Sequence, residues 1–290
     1  MGQKLPLKTK KVKILGIGVN LIFLKNTLSL VEKWVKHNKQ YQITTPNPEQ
    51  IVLAQKNLEF KKVLNNADLA VPDGIGIVLA ARFLKSKKQK AKSKNTIQNS
   101  EIPATSYQLP ATRVSGADLM LELCKLAAKK KWRVFLLGGK GGVAKAAYKK
   151  LRITYYLPDS LQTQLRRSGH GGLRITYYKG AKDIKNEAAG ERREAIKKIN
   201  QFRPHILFVA YGAPWQELWI AKNLPKLKVK VAMGVGGAFD YISGRVPRAP
   251  KWLRKAGLEW LYRLAREPWR LKRQLALVKF IKLVICDRDL

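Results

Sequence analysis

Apolar residues in this chain fall into short continuous runs, and between the runs they recur at helical spacing. Lys13-Ile14-Leu15-Gly16-Ile17-Gly18-Val19 reads as a first strand, followed by a helix through about Lys36 with Leu28, Val31 and Val35 on one face. Tyr41-Gln42-Ile43-Thr44-Thr45 is a strand that stops at Pro46 and Pro48, and the next helix is expected from Glu49 to Lys61. Ala67-Asp68-Leu69-Ala70 is a short buried strand entering the helical run Ile77-Val78-Leu79-Ala80-Ala81. Trp132-Arg133-Val134-Phe135-Leu136-Leu137, Ile206-Leu207-Phe208-Val209-Ala210 and Val229-Lys230-Val231-Ala232-Met233 are further buried strands, each ending in a loop that contains glycine. Strands alternating with helices predict an α/β fold, a mostly parallel Rossmann-like sheet with helices on both faces.

Two stretches break the alternation. From Lys85 to Pro110 the chain is rich in lysine and polar residues, cannot bury apolar surface and repels itself, so a flexible insertion is expected over 85–112. Beyond Ser243, arginines and lysines mix with Trp252, Trp260, Tyr262, Trp269 and Phe280, while Leu271, Leu275, Val278 and Ile285 line up at helical spacing. Such a basic, tryptophan-rich amphipathic segment suits the headgroup region of an anionic membrane. A helix packed on the protein's own core would show the same stripe. The expected organisation is a basic N-terminal tail over 1–12, an α/β catalytic domain over 13–244 and a basic helical C-terminal appendage over 245–290. The hexapeptide Leu151-Arg152-Ile153-Thr154-Tyr155-Tyr156 recurs as Leu173-Arg174-Ile175-Thr176-Tyr177-Tyr178, too short a repeat for a solenoid.

Charge narrows the partners. A formal net charge of +39 and a pI near 10.4 imply polyanions: nucleic acid, an anionic membrane or phosphorylated substrates. Nucleic-acid recognition is the rival reading, but the aromatics cluster near the C-terminus and no helix-turn-helix or zinc-finger spacing occurs. Cys124 and Cys286 stand far apart without metal-ligand spacing, which fits a reducing cytoplasm. No run of about 18 apolar residues is present to span a bilayer.

The leading candidate for chemistry is Asp73, in Val71-Pro72-Asp73-Gly74-Ile75-Gly76, because open α/β sheets keep their ligands outside the carboxyl ends of the strands. Capping of the following helix is the plainer role for the same residue. Thr45 and Asn47 end the preceding strand and can bond a sugar or phosphate, although Asn47 with Pro48 also reads as a helix start. Gly138-Gly139-Lys140-Gly141-Gly142 offers backbone N–H groups to an anion at a helix start. Gly16-x-Gly18 lacks the third glycine and the later acidic residue of a dinucleotide site.

Taken in order, Thr45-Pro46-Asn47-Pro48-Glu49, Pro72-Asp73-Gly74-Ile75-Gly76, Arg113-Val114-Ser115-Gly116-Ala117-Asp118, Phe135-Leu136-Leu137-Gly138-Gly139, Gly212-Ala213-Pro214-Trp215-Gln216-Glu217, Gly234-Val235-Gly236-Gly237-Ala238-Phe239-Asp240, Arg248-Ala249-Pro250 and Leu258-Glu259-Trp260-Leu261-Tyr262-Arg263-Leu264 resemble the WecG/TagA/CpsF glycosyltransferases, glycosyltransferase family 26. The resemblance implies an inverting transferase moving an N-acetylmannosamine-type sugar from a UDP donor to undecaprenyl-diphosphate-linked GlcNAc, in surface-polysaccharide synthesis; a UDP-sugar transferase using a soluble acceptor is the alternative. It implies Asp73 as base, with sugar-nucleotide and acceptor contacts at Thr45, Asn47, Arg113, Gln216 and Asp240. It also implies a basic C-terminal appendage that docks on the membrane and closes the active site, with Arg263, Arg270 and Arg273 as its substrate-binding cations. The expected enzyme is cytoplasmic and peripheral on the inner face of the plasma membrane, needs no cofactor or metal, binds no nucleic acid, and has homo-oligomerisation left open. The chain departs from the family pattern in its long insertion, in Trp215 where a Lys is usual, and in the region of the repeated hexapeptide.

Overall fold

The computed structural model describes residues 11–94, 114–155, 172–268 and 271–287. A two-stranded antiparallel hairpin, β1 (Lys11–Ile14) and β2 (Ile17–Asn20), comes first and stands apart from the main sheet. The single strand expected over 13–19 is therefore two. Leu15 and Gly16 both take positive φ (50° and 76°) and reverse the chain, the conformation a two-residue hairpin turn demands. Lys11 and Val12 lie in β1 rather than in a tail.

After α1 (Leu24–Lys36) comes β3 (Tyr41–Thr44), whose strand ends where expected. The helix expected from 49 to 61 is broken into α2 (Pro48–Ala54) and α3 (Leu58–Asn66), because Asn57 caps the second piece by accepting from the Phe60 N–H at 2.9 Å. β4 is only Leu69–Ala70, and α4 runs Ile75–Lys94. Residues 85–94, expected in a flexible loop, are thus helical, since lysine and glutamine are good helix formers. The rest of that expected insertion, 95–112, lies outside the described residues.

The remaining elements are α5 (Gly116–Lys129), β5 (Arg133–Gly138), α6 (Val143–Tyr155), β6 (Arg174–Tyr178), α7 (Ala189–Phe202), β7 (Ile206–Ala210), α8 (Trp215–Asn223), β8 (Val231–Gly234), α9 (Ala238–Ser243), α10 (Lys251–Lys255), α11 (Glu259–Arg266) and α12 (Leu271–Ile285). Strands β3 to β8 form one parallel sheet in the order β4-β3-β8-β7-β5-β6. Alternate side chains feed opposite cores: Val134, Leu136, Ile206, Phe208, Val231 and Met233 meet α1, α5, α6 and α9, while Phe135, Leu137, Leu207, Val209 and Ala232 meet α7 and α8. A sheet buried on both faces needs continuous apolar strands, as the sequence supplies.

A third cluster joins the hairpin, α2, α3 and α4 to the last helix, through Ile17, Ile51, Phe60, Ile77, Phe280 and Val284. The last helix, α12, therefore packs into the core of the molecule. Among the described residues no helix is long and apolar enough to cross a membrane.

Candidate active site

The carboxyl ends of β3, β4, β7 and β8 converge on one cavity of about 750 Å³. β3 delivers Thr45 and Asn47 to it, β4 delivers Asp73, the loops after β7 and β8 deliver Gln216 and Gly236, and the C-terminal helices deliver Arg263 and Arg273. The Asp73 corner is fixed by its backbone. Val71 N–H donates to the Thr44 carbonyl at 2.8 Å and Asp73 N–H to the Pro46 carbonyl at 3.0 Å, which holds the ends of β3 and β4 side by side. Helix α4 starts at Ile75 behind Gly74 (φ 96°), so Asp73 stands one residue ahead of the position that flanks the helix. Its side chain is half-buried.

Gly116, the first residue of α5, explains the proximity of Thr45 and Asp73. A Cβ there would lie 3.2 Å from Thr45 Oγ1 and 3.5 Å from Asp73 Oδ2. Both oxygens therefore crowd against the start of a 14-residue helix, where the dipole favours negative charge. Asn47 serves the helix start that its sequence suggested: its Oδ1 accepts from the Gln50 N–H at 2.9 Å while the residue also lines the cavity.

Gln216 is buried and acts as a clip between loops. Its Oε1 accepts from Gly212 N–H at 3.1 Å and Gly236 N–H at 2.9 Å, and its Nε2 donates to Glu217 Oε1 at 2.8 Å. Only a glycine fits at 234, where a Cβ would meet the Gln216 amide at 2.8 Å. Glu217 is fully buried, its Oε2 has no hydrogen-bond partner among the described residues, and burial pushes its carboxyl up to about 7.

Asp240 lies just outside the cavity lining, beside Gly237 and Arg263. A Cβ on Gly237 would be 3.4 Å from the Arg263 guanidinium and 3.7 Å from Asp240 Oδ2. Burial pushes the Asp240 carboxyl up, while Arg263 and Arg245 pull it back. Arg263 donates to Glu267 at 2.6 Å and to the Tyr241 hydroxyl at 2.9 Å, and its guanidinium stacks over the Tyr241 ring at 4.8 Å. Arg273 grips both Glu49 carboxylate oxygens, at 2.7 and 3.0 Å, and so pins α12 to α2 at the cavity edge. Arg113 and Arg270 lie outside the described residues.

Some participants carried no signal strong enough to name from sequence. Arg248 donates to Asp118 at 2.6 Å, to Glu259 at 3.3 Å and to the Ser115 hydroxyl at 3.4 Å, tying the start of α5 to α11. Burial opposes its charge, but the two carboxylates outweigh that and hold its pKa above the ordinary value. Its motif, Arg248-Ala249-Pro250, was visible; its three partners come from distant parts of the chain. Tyr241 follows Asp240 with no spacing that marks it. Among the described residues, no group of three or more His, Cys, Asp or Glu side chains is gathered in a way that could hold a metal ion.

With this geometry in hand, comparison with known proteins is specific. The family model described as "Glycosyl transferase WecG/TagA/CpsF family" matches residues 12–97 and 104–289. The chain is 30% identical over 264 residues to the N-acetylglucosaminyldiphosphoundecaprenol N-acetyl-beta-D-mannosaminyltransferase of Bacillus subtilis (strain 168), covering 90% of this chain and 86% of the relative. It is also 30% identical over 252 residues to the protein of the same name in Bacillus spizizenii, covering 87% of this chain and 81% of that one. The chain belongs to the WecG/TagA/CpsF family of glycosyl transferases.

Proposed function

We propose that this glycosyltransferase moves an N-acetylmannosamine-type sugar from a UDP donor to undecaprenyl-diphosphate-linked GlcNAc, with inversion at the anomeric carbon. The observation that carries this reading is the meeting, in one cavity, of the Asp73 and Thr45 oxygens from the sheet with Arg263 and Arg273 from the C-terminal helices. Inverting transfer needs a base at the acceptor hydroxyl and positive charge at the departing diphosphate, and these two groups supply both.

In the proposed step Asp73 takes the proton of the GlcNAc hydroxyl as its oxygen bonds the anomeric carbon. The bond from that carbon to the UDP oxygen breaks on the opposite face, and the electron pair leaves on the diphosphate. Thr45 and the Asn47 amide orient the sugars. Gln216 acts as a positioning residue, since its oxygen already holds two loop amides. Asp240 and Arg263 flank the nucleotide, and Arg273 meets the acceptor diphosphate by exchanging part of its pairing with Glu49. Arg113 and Arg270, which the family motif assigns to substrate, belong to the same proposal. The cations carry the leaving-group charge without a divalent ion, so EDTA leaves the rate unchanged.

The test is to incubate the purified protein with candidate UDP-hexosamines and a short-chain lipid-diphosphate-GlcNAc. The expected product is heavier by one N-acetylhexosamine, carries a β linkage from an α donor, and appears with one UDP per turnover. Hydrolysis of the donor without acceptor glycosylation, or retention of configuration, contradicts the proposal. The enzyme is expected at the cytoplasmic face of the plasma membrane, where its lipid acceptor would be reached from the surface.

A further inference from the structure

The cavity has two chemically distinct ends. Thr45, Asn47, Asp73 and Ser115 line one, and the other runs between α4 and α12 beside Leu79, Phe83, Leu277, Phe280, Ile281 and Ile285. Leu79 and Phe83 sit one turn apart on α4 and are 53% and 44% exposed; Ile281 and Ile285, one turn apart on α12, are 49% and 58% exposed. Two rows of large apolar groups thus face an open groove that no other described residue fills, an arrangement a protein keeps for a ligand or partner.

We infer that this apolar limb holds the proximal isoprene units of the acceptor's polyprenyl chain, a reading that rests on the proposed lipid-linked acceptor. Three observations select this occupant. The limb is continuous with the Asp73 end, so a single molecule can reach from it to the carboxylate. Arg273, in the first turn of α12, also lines the cavity and stands where a diphosphate would join sugar to chain. From Arg273 to Ile285 the helix rises roughly 18 Å at 1.5 Å per residue, room for several isoprene units.

The exit also fits. On α12, Phe280 and Val284 turn into the core, whereas Leu271, Leu275 and Val278 are exposed. Ile285 belongs both to the cavity lining and to the exposed stripe. A chain leaving the groove there passes onto an apolar surface instead of into water.

The test measures binding to the full chain without vesicles, by anisotropy of fluorescent GlcNAc-diphosphate probes that carry either one or three isoprene units. The three-unit probe binds the wild type at least tenfold tighter than the one-unit probe, because the added carbons leave water. The Phe83→Ser/Ile281→Ser double variant loses most of that gain and still binds the one-unit probe, which reports that the fold and the polar end are intact; each single variant loses part of it. Equal binding of the two probes by the wild type, or an undiminished gain in the double variant, overturns the inference. So does equal competition by a single-chain phospholipid, which makes the groove a general lipid site. If farnesyl diphosphate binds as tightly as the GlcNAc probe and no sugar is transferred, the functional reading fails while the chain-binding groove stands.

Discussion

Asp73 and Thr45 keep their positions because residue 116 has no side chain. In Gly116→Ala the added methyl presses on Thr45 Oγ1 at 3.2 Å and on the Asp73 carboxylate beyond it. Alanine is a better helix former than glycine, so stability should change by less than about 1 kcal/mol. The rate should nevertheless fall about ten- to a hundredfold, as misplacement of reacting groups does; kcat measured beside a denaturation curve separates the two effects. Glu217 makes a prediction of the opposite kind. Its folded-state pKa is raised from 4.5 to about 7 by burial, so the native state holds a proton that the unfolded chain releases. Stability is therefore highest below the unfolded value and falls as pH rises through that window, by on the order of 3 kcal/mol, after which it levels off. Urea midpoints at pH 5 and pH 8 should differ more for the wild type than for Glu217→Gln. Equal slopes would mean that the carboxyl is not buried in the folded protein.

Among the secondary elements, the parallel strands were legible because a strand covered on both faces must be apolar throughout, and Ile206 to Ala210 can hardly be anything else. The hairpin was hidden because Leu15 fills a positive-φ turn position where Asn or Gly is the usual signal. The repeated hexapeptide shows the limit of local reading. Its first copy is helical through Tyr155 with Leu151 buried, and its second forms edge strand β6 against β5, so neighbours and not the six residues decide the outcome. The site was legible where strand ends meet loops, as at Thr45, Asn47 and Asp73. It was illegible where partners are remote, as in the Arg248 links to Asp118 and Glu259. Docking of α12 should depend on packing more than on charge. Phe280→Ala should cost about 3–5 kcal/mol, the usual loss for a buried phenylalanine, whereas Arg273→Ala should cost no more than about 1 kcal/mol because its pair with Glu49 is half-exposed. Denaturation of the two variants checks the order.

For the whole molecule, the proposed docking on an anionic surface rests on a net charge of +39 together with an outward apolar stripe on α12. Because Phe280 and Val284 belong to the core, removing the helix would damage the fold, and the cleaner variant is Leu275→Ser/Val278→Ser on its exposed side. Partitioning onto anionic vesicles should fall about tenfold or more in that variant, with an unchanged melting curve, and should weaken with salt for the wild type. Unchanged partitioning would assign the stripe to something other than a membrane. The proposed chemistry stands on Asp73 acting as base toward a lipid-borne hydroxyl, and single-turnover transfer with Asp73→Asn decides it. UDP-sugar affinity should stay within about threefold of the wild type while the rate falls by about 10² to 10⁴; transfer at the wild-type rate would remove Asp73 from the mechanism.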